Sequence, residues 1–168
     1  MTASETMVRM GELAVSSLPG DVLVSIGLGS CIGLALIDRR MGIAGLAHIV
    51  LPQSQGPMNE NPDKFADLAV PKLLGELEGL GARKIRLEAV LVGGASMFTV
   101  SKASLEVGSR NETAVRELLS ERRIPVVAAA TGGNRGRTIR VDVASGAVTV
   151  REAGGKDTEL VADLEVVA

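Results

Sequence analysis

The sequence predicts an α/β (α+β) fold, a layered sandwich of largely antiparallel β-sheet with two main helices packed on it. About seven or eight strand-like segments stand against two segments with helical periodicity, and hairpins outnumber helical crossovers, which favours a largely antiparallel sheet system with helices packed on it. Residues 31–51 contain two segments that are apolar at consecutive positions, which is typical of strands buried on both faces. With 46% hydrophobic residues and only two aromatic ones, the core must be aliphatic.

A chain of 168 residues normally builds one hydrophobic core. The sequence has no internal repeat and no linker long enough to divide it. Residues 1–168 are therefore predicted to form a single domain, with a core of about residues 7–151 and a C-terminal tail at 152–168.

The first part of the chain predicts two strands followed by a hairpin. Met7–Val15 alternates loosely between polar and apolar residues, and Val22–Ile26 is an apolar run that follows a Pro19-Gly20 turn. The hairpin consists of Cys31–Asp38 and Ile43–Leu51.

Helical periodicity appears in two places. Phe65–Leu80 carries apolar residues at helical spacing, and Pro71 inside it predicts either a kink or two shorter helices. A second helix is predicted to begin with Asn111 as its N-cap and to bury a face that includes Val115.

The remaining apolar segments predict further strands, which brings the expected total to about seven or eight. These segments are Ile85–Val92, Ile124–Ala129, Thr138–Val143, Ala147–Arg151 and a last strand-like stretch, Leu160–Val167.

Charge and composition argue against several classes of function. The net charge is -2, the pI is about 5.5, and the Lys and Arg residues are dispersed, so nothing favours binding to nucleic acid or to anionic membranes. Residues Met1–Ser17 contain no continuous apolar segment, and no apolar run reaches the length of a membrane span. The sequence predicts a cytoplasmic protein that binds no nucleic acid and does not insert directly into a membrane.

The chain contains one cysteine and one histidine, so any thiolate–imidazole pair must be Cys31 and His48. If Arg39-Arg40 forms a two-residue turn, these side chains oppose each other on one sheet face, with Cβ atoms about 4.5–5.5 Å apart. Gly42 instead suggests a three-residue loop, which would place the two residues diagonally and on opposite faces unless a bulge intervenes. The sequence alone leaves the register open.

The glycine-rich approach to the cysteine predicts an oxyanion site. Gly29 and Ser30 precede Cys31, and the backbone N–H groups of Ser30 and Cys31 could point at a developing oxyanion. An adjacent imidazole would lower the pKa of the thiol. The plainer interpretation stays open, since a lone cysteine on an apolar strand is most often a packed side chain and a lone histidine is most often structural.

The other glycine loops predict no cofactor. Ile32 occupies the position of the third glycine of a dinucleotide-binding motif, which excludes that site. Thr131–Gly136 holds Arg135 and precedes Arg137, yet no helix follows it as a phosphate loop requires. The chain offers no cluster of metal ligands, so neither a metal nor an organic cofactor is expected.

Five motifs together resemble the chemoreceptor glutamine deamidase CheD family, over roughly Met7 to Arg151. The motifs are Gly27-Leu28-Gly29-Ser30-Cys31, Ala47-His48-Ile49-Val50-Leu51-Pro52, Gly93-Gly94-Ala95-Ser96-Met97-Phe98, Gly108-Ser109-Arg110-Asn111 and Thr131-Gly132-Gly133-Asn134-Arg135. Because all five occur in order over most of the chain, the resemblance is highly specific.

The resemblance implies a layered α/β sandwich, akin to bacterial toxins that deamidate host glutamines, and a chemotaxis enzyme of bacteria and archaea. Such an enzyme converts selected glutamines on the cytoplasmic helices of receptors to glutamate, through a cysteine thioester, and releases ammonia. The catalytic set of the family carries over to Cys31, His48 and Ser25, the last standing where threonine is usual in the family. Pro71 within the first helix also looks atypical.

The partners that the resemblance implies are the receptors and CheC, a phosphatase of the response regulator. Two alternative functions follow from it: a regulatory binding module that docks and stimulates CheC, and a receptor methylesterase.

Overall fold

The computed structural model describes residues 4–54, 61–96 and 102–161, with the side chains of the last range described from residue 107 onward. The strands are β1 (Ser4–Met7), β2 (Leu13–Ser16), β3 (Asp21–Leu28), β4 (Ile32–Asp38), β5 (Ile43–Ile49), β6 (Glu88–Gly93), β7 (Val126–Thr131), β8 (Arg137–Asp142), β9 (Val148–Glu152) and β10 (Thr158–Val161). The helices are α1 (Ala66–Gly79) and α2 (Lys102–Glu121), with short 3-10 helices at Pro62–Lys64 and Lys84–Arg86.

The strands form two five-stranded sheets. The first sheet has the order β1-β3-β8-β9-β10 and the second the order β2-β5-β4-β6-β7. Only β1–β3 and β6–β7 pair in parallel among the described strands. The predicted α/β class, largely antiparallel with two main helices, is confirmed, although the described residues contain ten strands rather than seven or eight.

Two buried clusters hold three layers together. One cluster fills the space between the two sheets, and the other lies between the second sheet and the helices. Both β4 and β5 are buried along their whole length. Ile32, Leu34 and Leu36 face the helices, whereas Ala35 and Ile37 face the first sheet, because side chains alternate along a strand. The prediction that this hairpin is buried on both sides is confirmed.

Leu34→Ala tests the helix-side cluster. Leu34 is fully buried, so the substitution removes apolar contacts and leaves a cavity. We expect a loss of about 2–5 kcal/mol in the free energy of unfolding, measured by urea denaturation. Ile85→Ala is the matched control, because Ile85 is 87% exposed and its loss should change stability by no more than about 0.5 kcal/mol. Equal effects of the two substitutions would contradict this description of the core.

The predicted strand at Met7–Val15 is wrong, because a turn divides it. Gly11 adopts a left-handed φ of 75°, and the Glu12 N–H donates to the Arg9 carbonyl oxygen at 2.8 Å. The chain uses this turn to cross from β1 in the first sheet to β2 in the second.

The helix predictions also need correction. Pro71 does not divide the first helix in two, because α1 is one helix of 14 residues, and the alternative of a kink stays a prediction. Pro71 is exposed, and the backbone carbonyl that proline leaves unpaired belongs to Asp67, which is partly exposed. Asn111 does not cap the second helix, because α2 starts at Lys102 and places Asn111 in its interior.

The C-terminal tail is not separate from the sheet system. β10 pairs with β9 and forms the edge of the first sheet, while the rest of the predicted strand Leu160–Val167 lies outside the described residues. No helix within the described ranges is both long enough and apolar enough to cross a membrane.

Candidate active site

The β4–β5 hairpin sets the relative position of the cysteine and the histidine. Its strands pair Ile32 with Ile49 and Gly33 with His48, so a four-residue loop, residues 39–42, connects them. Both predicted loop lengths, two and three residues, are therefore wrong. The Asp38 carboxylate accepts a hydrogen bond from the Met41 N–H at 3.3 Å, which stabilises the longer turn.

The true register differs from the two-residue-turn register by two positions, so it changes the partners but not the faces. His48 lies opposite Gly33, and Cys31, two residues before Gly33, is diagonal to it. Cys31 belongs to the cluster between the sheets, the side that Ala35 and Leu46 also face. Diagonal neighbours on one face are about 7–8 Å apart, which is still within reach of an aromatic side chain such as that of His48.

A short segment before β2 surrounds His48 with hydrogen bonds. The His48 N–H donates to Glu12, and its carbonyl accepts from Gly11. The ring Nδ1 lies 3.1 Å from the Val8 carbonyl oxygen. Because a carbonyl oxygen only accepts, Nδ1 carries the proton, and Nε2 is then the basic atom of the neutral ring. Nε2 is buried and has no hydrogen-bond partner among the described residues.

Ser25 acts on the same carbonyl group. Its hydroxyl is fully buried and donates to the Val8 carbonyl oxygen at 2.7 Å. The Val8 N–H in turn donates to Val24 at 2.7 Å. Ser25 and His48 therefore bind the same acceptor, the Val8 carbonyl oxygen, and are linked through it rather than by a direct hydrogen bond.

A bulge in β3 directs the chain toward the cysteine. Ser25 pairs with Ile139 and Leu28 with Arg137, so three steps on β3 match two on β8. Gly27, with a φ of 68°, takes the left-handed conformation that this bulge requires. As a result, Ser25 and Leu28 are both buried, while the exposed Ile26 lies between them.

The loop of residues 29–31 has its carbonyl groups hydrogen-bonded to other residues, whereas its amides are not, and the Cys31 N–H lies beside its own thiol. The carbonyl oxygens of Gly29, Ser30 and Cys31 accept from Ala95 N–H, the Asn111 side chain and Gly94 N–H, at 2.8, 2.9 and 2.9 Å. The N–H groups of these three loop residues donate no hydrogen bond to another described residue. The loop therefore presents donors, as the predicted oxyanion site requires.

Two further motifs support this loop. Gly93 lies so close that a Cβ atom on it would be 2.1 Å from the Cys31 carbonyl oxygen. Gly132 N–H donates to Gly93, and the Arg137 guanidinium donates to the Gly132 carbonyl oxygen at 2.7 Å. The glycine loops are thus structural supports of the cysteine loop. Met97 and Phe98 of the third motif lie outside the described residues.

Burial keeps both candidate catalytic groups neutral. It raises the pKa of the Cys31 thiol, against the opposing effect of the cysteine's own backbone N–H. It lowers the pKa of His48, although the Val8 carbonyl and the negative charge of Glu12 act in the other direction. The lowering of the thiol pKa that an adjacent imidazole would cause is absent, because His48 is diagonal to Cys31 and not directly opposite it. The resting site holds a thiol and a neutral imidazole.

The raised pKa of Cys31 predicts how its alkylation depends on pH. Only the thiolate reacts, so the iodoacetamide rate should rise with pH and reach its midpoint above about 8.5, the value of an ordinary cysteine. Stopped samples analysed by intact mass give the rates. His48→Gln should leave the midpoint nearly unchanged, since Nε2 makes no hydrogen bond in the resting site. A rate that is already maximal at pH 7 would contradict a neutral resting thiol.

Asn111, which the sequence predicts as a helix N-cap, instead contacts the candidate site. Its side chain contacts both the cysteine loop and the end of β5, through Ser30 and Val50. A signal was present, because asparagine is a poor residue for the interior of a helix. The described residues contain no group of three or more His, Cys, Asp and Glu side chains that could hold a metal ion.

The fold and the site together define a two-sheet α/β protein with its cysteine and histidine on the inner face of a buried hairpin. A family model described as CheD chemotactic sensory transduction matches residues 50–152. This match begins two residues after His48, whereas the curated relatives align over more of the chain.

Two relatives illustrate the similarity. A probable chemoreceptor glutamine deamidase CheD of Clostridium botulinum strain Alaska E43 is 47% identical over 157 residues, which cover 92% of this chain and 96% of that protein. A protein of the same description from Clostridium kluyveri is 45% identical with the same coverage. The chain belongs to the CheD family.

Solved structures resemble the chain more distantly. A Neisseria meningitidis protein described as DUF152 aligns with a TM-score of 0.48 and 9% identity, over 79% of this chain and 64% of its own. The Bacillus licheniformis protein YfiH aligns with a TM-score of 0.44 and 13% identity, over 73% of this chain and 49% of its own.

Proposed function

We propose that this protein is a protein-glutamine deamidase that converts glutamines on the cytoplasmic helices of chemoreceptors to glutamate, with Cys31 as the nucleophile. Its relatives carry the name of that activity. The observation that carries the proposal is the arrangement around Cys31. A thiol, an unpartnered imidazole Nε2 on the same face and a loop whose amides bond no other described residue are the three groups that acyl transfer requires.

In the first step, His48 Nε2 takes the proton of the Cys31 thiol while the sulfur attacks the amide carbon of the glutamine. The Val8 carbonyl holds the proton on Nδ1 and so keeps Nε2 available. The negative charge that develops on the amide oxygen is stabilised by the N–H groups of Ser30 and Cys31, at the loop that includes Gly29. Catalytic hydrogen bonds often tighten only when substrate is bound, which suits the diagonal pair.

In the second step, the imidazolium gives its proton to the departing nitrogen, and the C–N bond breaks to release ammonia. A thioester between Cys31 and the former glutamine remains. Water then attacks the thioester while His48 Nε2 takes its proton, and the returning thiol releases glutamate. One glutamine and one water give one glutamate and one ammonia, so the reaction consumes no cofactor.

Ser25 supports this chemistry indirectly. Its hydroxyl and the His48 ring share the Val8 carbonyl, so Ser25 helps to fix the acceptor that orients the imidazole. Because the proposed substrate lies on the cytoplasmic helices of receptors, the protein would act in the cytoplasm. The family resemblance adds a CheC-type phosphatase as a second partner.

Deamidation is tested by incubating the protein with the cytoplasmic fragment of a receptor from the same organism and measuring peptide masses. Each glutamine-to-glutamate conversion adds about 1 Da and releases one ammonia. The matched control is the same protein pretreated with iodoacetamide, which can block only Cys31 because it is the one cysteine in the chain. An unchanged receptor, or equal conversion by the alkylated protein, would refute the proposal.

The two alternatives are distinguished in the same assay. A receptor methylesterase would release methanol from methylated receptor and leave the glutamines intact. A regulatory binding module would capture a CheC-type phosphatase equally well before and after alkylation of Cys31, without changing the receptor.

A further inference from the structure

Asn111 is a fully buried polar side chain in the interior of α2. Burying an amide without hydrogen bonds is costly, and asparagine is a weak helix former. A buried asparagine at this position is therefore expected to make specific hydrogen bonds. Its nitrogen donates to the carbonyl oxygens of Ser30 and Val50, both at 2.9 Å. Both amide hydrogens are therefore committed, one to each segment beside the proposed catalytic pair.

These two carbonyl groups lie just beyond the point where the hairpin ladder stops. The last β4–β5 pair is Ile32 with Ile49, and the next residues are Cys31 and Val50. The Val50 N–H donates to Lys64 rather than to the cysteine segment. Asn111 thus bridges two strand ends that no ladder hydrogen bond joins at this position.

The bond to Ser30 also fixes the direction of a proposed catalytic donor. The Ser30 carbonyl and the Cys31 N–H belong to one planar trans peptide, in which the C=O and N–H bonds point in opposite directions. A Ser30 oxygen held by Asn111 therefore aims the Cys31 N–H away from α2. In the same way, the Ala95 bond to the Gly29 oxygen fixes the direction of the Ser30 N–H.

Gly108 allows the helix to come close enough for this contact. A Cβ atom at Gly108 would lie 2.6 Å from the Gly94 carbonyl oxygen and 2.8 Å from that of Ala95. Gly108 and Asn111 are three residues apart and share a helix face. The fourth sequence motif therefore packs α2 against the loop that supports Cys31 and brings the Asn111 amide to it.

We infer that Asn111 is a positioning residue for the oxyanion site: by holding the Ser30 and Val50 carbonyl groups, it keeps the Cys31 N–H directed at the reacting amide oxygen. The inference rests on the proposed deamidase function. The bonds of the Asn111 side chain in the described structure go to the Ser30 and Val50 carbonyl groups, so Asn111 acts on the reaction through the loop. Its loss should impair the reaction that needs the oxyanion donor, but not one that needs only the thiol.

The test compares two reactions of the same cysteine in Asn111→Ala. Receptor deamidation builds an oxyanion, whereas alkylation by iodoacetamide is a direct displacement at carbon and builds none. We expect kcat for deamidation to fall by about 10²-fold with little change in KM, because the donor is misdirected. The alkylation rate and its dependence on pH should stay close to those of the unsubstituted protein.

Val115→Ala is the matched control, a truncation at another fully buried position of α2 that lies outside the site. It should lower the thermal midpoint while leaving kcat unchanged. If Asn111→Ala does not fold, Asn111→Ser provides the test. Its single hydroxyl donor can bind only one of the two carbonyl groups, so kcat should fall, but by less than in Asn111→Ala.

Three results are decisive. Near-normal kcat in a folded Asn111 variant would overturn the inference and leave the proposed function intact. A parallel fall in alkylation and deamidation would also overturn it, since the whole cysteine would then be displaced. An unsubstituted protein that modifies no receptor glutamine would refute the proposed function, and the inference with it.

Discussion

Replacing Cys31 with alanine is expected to abolish receptor deamidation while the fold survives. The thiol is the one nucleophile that the proposed mechanism uses, so kcat should fall on the order of 10⁴- to 10⁶-fold, as for loss of a nucleophile in comparable hydrolases. The side chain is small and buried, and its removal should change the free energy of unfolding by about 1 kcal/mol. Peptide mass spectrometry and thermal unfolding measure the two effects.

Cys31→Ser distinguishes the loss of the thiol's reactivity from the loss of its packing contacts. Serine keeps nearly the same shape and packing, but its hydroxyl is a much weaker acid than a thiol and burial disfavours its ionisation further. Activity should therefore remain far below that of the unsubstituted protein. Appreciable deamidation by Cys31→Ala would mean that another group carries the reaction.

Replacing Gly93 with alanine is expected to damage both the fold and the site. The added Cβ would lie 2.1 Å from the Cys31 carbonyl oxygen, and the residue has a φ of 116°, which side chains rarely adopt. Relief requires the backbones of β6 and the cysteine loop to separate, which breaks the 2.9 Å bond from Gly94 to Cys31. We expect a loss of about 3 kcal/mol or more in stability.

The displaced cysteine loop should also lower the activity of whatever protein still folds. A displacement of about 1 Å at a reacting group can cost about 10²-fold in rate. Urea denaturation and the deamidation rate per folded molecule measure the two consequences.

Gly154→Ala is the matched control for Gly93→Ala. Gly154 also has a left-handed φ, 80°, but a Cβ atom there would meet no atom within 4 Å. Its effect should be limited to backbone strain, on the order of 1 kcal/mol, with unchanged activity. Equal effects of the two substitutions would show that conformation, and not the close approach to Cys31, explains the need for glycine at position 93.

The neutral resting pair has a mechanistic consequence. A buried thiol with a raised pKa and an imidazole with a lowered pKa give little thiolate before substrate binds. In the proposed mechanism, the proton then moves as the sulfur attacks, so the reactive thiolate forms only where an amide carbon is already in place. The same burial protects the cysteine from side reactions, because the thiolate is the reactive form.

The amino-acid sequence determined the fold class and most of the element order. Consecutive apolar residues in β4 and β5 indicated a strand pair buried on both sides, because only a layered fold can cover both faces. The single cysteine and single histidine limited the candidate catalytic pair to Cys31 and His48, and the five motifs carried the family resemblance that similarity to known proteins confirmed. These conclusions depend on residue type and local spacing, which the sequence contains.

Only the tertiary structure decided how these parts meet. The hairpin register depends on a four-residue turn held by Asp38, and a shift of two positions changed the opposed pair into a diagonal one. The shared Val8 carbonyl and the Asn111 contacts join residues that are distant in sequence. Such contacts are set by how sheets and helices pack, so local spacing could not predict them. For the same reason, Asn111 looked like a helix cap in the sequence, but the structure places its amide against the loop that carries Cys31.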